Sequence, residues 1–316
     1  MNDRATALRN RLTKNLARLQ AWRKRDAVTC FRAYDRDIPE VPLAIDVYEG
    51  EDGARRLQIV AFAPRHGGGA TFDRVIDELA VVAGDVLGAA PEHRFVQLRD
   101  RERGGAIEAE DAAASVASFF VREGAARFLV RLGARRDPGL FLDHRTTRRL
   151  VADDAVGRSV LNLFAYTGSF SVHAALRGAR STTAVDLSAS TVRWATENLE
   201  ANAIDPGAHR VIAADVFGFL DDDDGRYDVI VLDPPSVSRS RRAARDLDIQ
   251  RDHPALIDRC IARLRSGGTL WFSTNLQTFA LAPLPRSLVV DEVTSSTVPP
   301  DFRERPHRCF RIAVRA

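Results

Sequence analysis

From about Pro138 onward the chain alternates between short apolar runs and amphipathic stretches, and no other feature narrows its possible folds so far. SVLNLFAY (159–166) and YDVIVLDPP (227–235) carry apolar residues at consecutive positions, not at every second one, as strands covered on both faces require. STTAVDLS (181–188), HRVIAAD (209–215) and GGTLWFSTN (267–275) extend the set to five. Helices are expected from Gly168, over 189–201, briefly through Phe219, and over 254–264. This repetition predicts an α/β fold with a doubly wound, mostly parallel sheet and helices on both faces. SLVVDEVTSST (287–297) and HRCFRIAVR (307–315) add two closing strands, one pairing in an antiparallel hairpin.

The first part of the chain has a different rhythm. Leu8, Leu12, Leu16 and Leu19 fall at helical spacing with basic residues between them, which predicts an amphipathic helix over 2–25. AVTCFRAY (27–34), PLAIDVYEG (42–50), RLQIVAFAP (56–64) and HRFVQLRD (93–100) read as strands, with a helix over 73–87. The small, acidic stretch GGAIEAEDAAAS (104–115) reads as a loop. At 316 residues two domains are expected: a smaller N-terminal α+β domain over 1–137, facing RNA or substrate, and the α/β domain over 138–316.

The apolar content of 45% and charged content of 28% fit a globular protein, and no apolar run reaches membrane-spanning length. The charged N-terminus lacks the apolar core of a secretory signal, so a cytoplasmic address is expected. Cys30, Cys260 and Cys309 are odd in number and widely spaced, which points to neither a disulfide framework nor a metal site. Net charge is only +3, and the basic residues are nearly all arginine, with lysine at 14 and 24 alone. RTTRRL (145–150), SRSRRAAR (238–245) and the basic first helix are nonetheless placed to meet phosphates, with Arg145, Arg149, Arg241 and Arg242 as candidate contacts.

In doubly wound sheets ligands sit beyond the carboxyl ends of the strands, near the point where strand order reverses. Four sets of residues are therefore read together. FAYTGSF (164–170) is a tight turn with Gly168 at a helix start, and Asn162 stands just before it. Asp186, Leu187 and Ser188 close the second strand, Asp215 and Val216 the third, and Asp233, Pro234 and Pro235 the fourth. A glycine turn leading into a helix lets free N–H groups approach a ligand. An acidic residue ending the second strand is placed to accept from both hydroxyls of a ribose. Asp215 is placed to accept from an adenine amino group, with Leu187 and Val216 flanking the ring.

Together these residues describe a pocket for an adenine nucleoside. A nicotinamide site would carry G-x-G-x-x-G at the first turn, and a P-loop is absent as well. Here the turn, which spans Phe164, Ala165, Tyr166 and Thr167 before Gly168, holds one glycine among bulky residues. That favours S-adenosylmethionine, which has no phosphates to cradle. Asp233-Pro234-Pro235 is the sharpest feature: two prolines fix φ and end the strand, which aims Asp233 at one point where a planar base can stack. No metal site is expected.

NRLTKNLARLQAW (10–22), YDRDIPE (34–40), GLFLDHRTTRRL (139–150), LNLFAYTGSFSVHAALRGARSTTAVDLS (161–188), DPPSVSRSRR (233–242) and DIQRDHPALI (248–257) make the chain resemble a known family over nearly its whole length. It is similar to the C-terminal half of the RlmKL family, bifunctional large-subunit (23S) rRNA guanine methyltransferases, whose matching half forms 7-methylguanosine. The resemblance implies cofactor contacts at Phe164 to Gly168, Asp186, Asp215 and Asp233. It also implies ribosomal RNA or a pre-ribosomal particle as partner, and a separate protein in place of the other half.

Other readings stay open. Methylation of an exocyclic amine would also use Asp233 as an acceptor. Ring-carbon methylation of a pyrimidine needs a cysteine just after the fifth strand, where this chain has Ser273-Thr274-Asn275. Cys260 and Cys309 read as buried structural thiols, and His144 and His253 as packing or surface residues. Asp143 and Arg145 either line the cofactor cleft or pair with each other. A small-molecule methyltransferase, or a catalytically idle RNA-binding factor on the same scaffold, completes the set. The acidic run 221–224 has no assigned role.

Overall fold

The computed structural model describes residues 3–64, 69–99, 116–133, 137–239 and 246–314. The chain divides into two compact units, Met1–Leu142 with Pro300–Arg303, and Asp143–Pro299 with Glu304–Ala316.

In the first unit, α1 (Asp3–Arg25) precedes β1 (Phe31–Asp35), β2 (Leu43–Glu49), β3 (Arg55–Phe62), α2 (Ala70–Leu87) and β4 (Arg94–Arg99). The strands form one sheet in that order, antiparallel until α2 carries the chain over to make β4 parallel to β3. Leu8, Leu12 and Leu19 of α1 are fully buried with Leu79, Ala83 and Leu87 of α2, which is why the leucines recur at helical spacing.

A hairpin outside the expected elements follows: β5 (Ala117–Glu123) and β6 (Ala126–Leu132), turning at Gly124 with φ +61°. Its signal was present, since Ala126, Phe128, Val130 and Leu132 are buried at every second position after a Glu-Gly turn. The stretch 104–115 lies outside the described residues.

The second unit runs α3 (Arg145–Asp154), β7 (Ser159–Leu163), α4 (Ser169–Arg177), β8 (Ser181–Asp186), α5 (Ala189–Ala201), β9 (His209–Ala213), α6 (Val216–Asp222) and β10 (Tyr227–Leu232). It continues with the short β11 (Val237–Ser238) and β12 (Leu247–Asp248), then α7 (Ile249–Arg263), β13 (Leu264–Thr274), β14 (Leu288–Glu292), α8 (Thr294–Thr297) and β15 (Arg308–Val314). The large sheet has the order β14-β15-β13-β10-β7-β8-β9, with β7, β8, β9, β10 and β13 parallel and β15 antiparallel. The fold is thus α/β with a doubly wound, mostly parallel sheet. Strand order reverses between β7 and β10, and all five residues of β7 are buried.

Two expectations are corrected. The helix expected over 254–264 begins at Ile249, because the Asp248 side chain caps it by accepting from Gln250 N and Arg251 N. Pro254 is tolerated inside it for a specific reason: the Gln250 carbonyl that Pro254 cannot serve is served by His253 Nδ1 at 3.0 Å. Ala282 N donates to His253 Nε2, which fixes the proton on Nδ1. The segment 287–297 is a strand only to Glu292 and then turns into α8, where Thr294 Oγ1 reaches back to Glu292.

The acidic run acquires structural roles. Asp221 pairs with Arg259 at 2.7 Å, joining α6 to α7, and Asp223 accepts from Tyr227 Oη at 3.0 Å. No helix among the described residues is long and apolar enough to cross a membrane.

Candidate active site

Parallel register builds the site. Leu232 pairs with Leu163 on one side and Phe272 on the other, Leu163 pairs with Val185, and Asp186 with Ala213. The strands therefore end at one level, and the residues that follow each strand stand in a row along a single edge.

The turn after β7 is the most distorted backbone in this row. Phe164, Tyr166 and Gly168 all have positive φ, at +56°, +49° and +74°. For a side chain this conformation costs about 1–2 kcal/mol, so the surrounding bonds must impose it. They do: Ala165 N donates to the Val185 carbonyl, Gly168 N to the Ala165 carbonyl, and Asn198 Nδ2 to the Thr167 carbonyl. Space at Gly168 is tight as well, since a Cβ there would lie 3.2 Å from that of Ala195. Asn162 is buried beneath the turn, where Nδ2 donates to Ser171 Oγ of α4 at 3.1 Å.

Asp186 ties this turn to the next. Its two carboxylate oxygens accept from Tyr166 N at 2.9 Å and Ser188 N at 3.0 Å. Burial pushes the carboxyl above the ordinary carboxylate range despite both bonds. Each oxygen accepts one bond among the described residues and keeps a lone pair for a further donor. Leu187 is half-buried behind it, and Ser188 caps α5 through Thr191 N. At the end of β9, Asp215 caps α6 with Oδ1, accepting from Gly218 N at 3.0 Å, and Val216 is buried beside it.

Beyond β10, Pro234 is buried, Pro235 exposed, and the Asp233 side chain is 23% exposed. Ser273, next to Asp233 across the strand pair, donates Oγ–H to Asp233 Oδ1 at 2.5 Å. Ser273 and Thr274 end β13 and Asn275 follows it, so no thiol stands where ring-carbon chemistry is expected to need one. Ser236 Oγ donates to Asn275 Oδ1 at 2.5 Å, which pins the corner after the prolines. Cys260 and Cys309 are buried and their thiols are pushed up by burial, so neither offers a thiolate.

The structure also brings to Asp233 a residue that sequence reading set aside. His144, at the cap of α3, is buried with Nε2 3.6 Å from Asp233 Oδ2 and 3.8 Å from Asp143 Oδ2. His307 stacks on it at 4.2 Å and contacts Asp143 Oδ2 through Nδ1 at 3.1 Å. His253, by contrast, is a packing residue against Phe272 and Phe279. The FLDHR motif was the available signal, but only the tertiary fold joins it to the Asp-Pro-Pro corner.

Of the candidate phosphate contacts, Arg145 is half-buried at the start of α3, and Arg149 is exposed and pairs with Asp153 at 3.5 Å. Arg148, between them, is buried. Arg241 and Arg242 lie outside the described residues, between β11 and β12.

The arrangement fits an adenosine-bearing ligand without phosphates: one strained turn, carboxylates at three successive strand ends, and a rigid acidic corner. Comparison with known proteins bears on the same point. Residues 64–299 match the model of the S-adenosylmethionine-dependent methyltransferase family. The ribosomal RNA large subunit methyltransferase K of Neisseria meningitidis is 40% identical over 97% of this chain and 87% of its own length. The ribosomal RNA large subunit methyltransferase K/L of Chromohalobacter salexigens is 41% identical over 99% of this chain, which spans 43% of that longer protein. Among solved structures, that of SMU.776 complexed with SAH shares the fold at a TM-score of 0.77 and 22% identity, covering 98% of this chain and 82% of that one. The chain therefore belongs to the S-adenosylmethionine-dependent methyltransferases, in the family of ribosomal RNA large subunit methyltransferase K.

Proposed function

We propose that this enzyme methylates guanine N7 in large-subunit (23S) ribosomal RNA, acting in the cytoplasm on RNA or a pre-ribosomal particle. The observation that carries the reading is the Asp233-Pro234-Pro235 corner at the strand-order switch point, in a chain 40% identical to methyltransferase K over most of both lengths. S-Adenosylmethionine, when bound, supplies a methyl group on a sulfonium that a nucleophile can take in line. In this reading the backbone from Phe164 to Gly168 meets its amino acid end, Asp186 accepts from the ribose hydroxyls, and Asp215 Oδ2 faces the adenine amino group between Leu187 and Val216.

The chain's own residues then have a placement task. Guanine N7 has an exposed lone pair and loses no proton before attack, so no strong base is required. Correct placement of two reactants supplies on the order of 7–11 kcal/mol. Pro235 offers an exposed ring for the base to stack on, and Asp233 orients it. As N7 is alkylated the purine becomes cationic, and the Asp233 carboxylate, fixed by Ser273, stabilises that charge. In A-form RNA N7 faces a groove too deep and narrow to reach, so the base must be extruded or in a loop. Arg145 and Arg149 lie on α3 and are assigned to the flanking phosphates in this reading, as are Arg241 and Arg242 from the sequence alone. The chain spans 43% of the K/L relative from Chromohalobacter salexigens, and a protein like the rest of that relative is the partner this reading proposes. The serine at 273 and the buried thiols favour a nitrogen acceptor over a ring carbon.

The test is methyl transfer from labelled S-adenosylmethionine to ribosomal RNA from a strain lacking this gene, with nucleoside analysis. Labelled 7-methylguanosine is expected. Label in 5-methylpyrimidine or an exocyclic amine would move the acceptor, and no RNA labelling by cofactor-competent protein would remove RNA as the substrate.

A further inference from the structure

Asp143, His144 and His307 bring one ligand atom each within 4.8 Å, a spacing that invites a metal. The rings argue otherwise. The two imidazoles stack at 4.2 Å with only 16° between their planes, so their lone pairs lie in separate, nearly parallel planes that do not meet at one ion beside them. The cluster has another use.

We propose that His144 is a positioning residue for methyl transfer, which holds the Asp233 carboxylate in its working direction while neutral and withdraws it into an ion pair when protonated. The proposal rests on the reading of Asp233 as the group that orients the acceptor base. His144 is wedged in place: His307 covers one face of its ring, and Phe170 of α4 meets it at 5.7 Å and 62°. His307 is itself held by Asp143 at 3.1 Å and Thr297 Oγ1 at 3.1 Å.

Asp233 is bonded on one side and faced by a histidine on the other. Ser273 fixes Oδ1, and Oδ2 faces His144 Nε2 at 3.6 Å, beyond hydrogen-bonding distance but within a small side-chain movement of it. Nε2 lies between two carboxylates, so the proton of the neutral ring belongs there. Nδ1 is then an acceptor, buried and without a hydrogen-bond partner among the described residues.

The charged groups around His144 come from every element packed on it. Asp143 stands beside it in sequence, Asp233 follows β10, His307 precedes β15, and Arg148 lies on α3. Beyond Asp233, Cys309 is the other titratable neighbour. Burial holds His144 below the ordinary imidazole range, with Asp233 and Asp143 pulling the other way and His307 and Arg148 adding to the depression. The ring is therefore neutral at neutral pH, and Asp233 keeps its charge for the developing purinium. Only when the pH falls below the ordinary imidazole range does a proton on His144 turn the 3.6 Å approach into a charge-assisted bond and remove that charge from the reaction.

The experiment uses the full chain. Wild-type kcat for methyl transfer to unmodified ribosomal RNA is expected to fall about tenfold per pH unit on its acid side. His144→Gln keeps a donor toward Asp233 but does not titrate. Its acid limb is expected to move at least one pH unit lower, with kcat at pH 8 down about tenfold and the S-adenosylmethionine Kd within about threefold. An unmoved acid limb would overturn the proposal.

Histidine NMR titration of the cofactor-bound protein gives a second readout, with the His144 signal assigned by its loss in His144→Gln. Asp233→Asn is expected to shift the His144 titration to lower pH, and an unchanged titration overturns the coupling. If the wild type labels no RNA, the functional reading fails instead, and the NMR titration alone decides whether His144 reads the charge of Asp233.

Discussion

The two edges of the large sheet treat their carboxylates in opposite ways. At the amino edge, Asp228 of β10 is well supplied: Oδ2 accepts from Ser159 N and Oγ at 2.8 Å each and from Arg180 at 3.1 Å, and Arg265 stands 3.7 Å from Oδ1. Burial raises its carboxyl, but these partners outweigh that and hold it below the usual range. At the carboxyl edge, Asp186 has two backbone donors among the described residues, and burial prevails. Asp233 has one serine and a histidine too distant to bond. A carboxylate that completes a fold is supplied with partners from within the chain. One that serves a ligand is left with capacity to spare, at some cost in stability.

The largest effect is expected at Asp233. Asp233→Ala is expected to lower methyl transfer by about a thousandfold or more while the S-adenosylmethionine Kd, measured by calorimetry, stays within about tenfold. Near-normal turnover in this variant would end the assignment.

Next comes Asp186→Asn, expected to weaken cofactor binding about a hundredfold, the worth of two bonds to a charged acceptor, with little change in unfolding midpoint. Because burial raises the Asp186 carboxyl, wild-type affinity is expected to decline with falling pH before an ordinary carboxylate would protonate, and the variant to lose that dependence. Equal binding by both proteins would contradict the ribose role.

Asp228→Asn reverses the pattern: cofactor binding and kcat are expected to hold, while urea unfolding at pH 7 shows a loss of about 1–2 kcal/mol. Since the folded carboxyl lies below its unfolded value, its contribution is present above about pH 4 and lost as pH falls through the folded value. The difference between wild type and variant is then expected to narrow in acid. A constant difference would mean that packing, not charge, is lost.

The smallest contrast lies at the two ends of α4. Gly178, at the amino edge, has φ +100° with nothing within 4 Å of an added Cβ, so Gly178→Ala is expected to cost only about 1 kcal/mol of strain. Gly168→Ala adds a clash with Ala195 and is expected to cost about 1 kcal/mol more and to weaken cofactor binding severalfold. Equal behaviour of the two would remove the special status of the first turn.

The carboxyl edge was legible in the sequence because each of its parts is local. A strand, a tight turn and an acid at the strand end lie within a few residues of one another, and strand burial on both faces leaves a continuous apolar run. The start of α7 was not legible, because Pro254 reads as a boundary until His253 is seen to serve the carbonyl it orphans. The hairpin over 117–132 carried a period-two signal that went unread beside an acidic, small-residue stretch. His144 had no local signature: its neighbours arrive from the end of β10 and from His307, and only the folded sheet puts them together.

The most direct test of the account is a structure of the enzyme with S-adenosylhomocysteine. The account predicts the nucleoside across the carboxyl ends of β7, β8 and β9, both ribose hydroxyls on Asp186, and the sulfur facing Asp233. A ligand seated away from this edge, or one that leaves Asp186 out of contact, would contradict it.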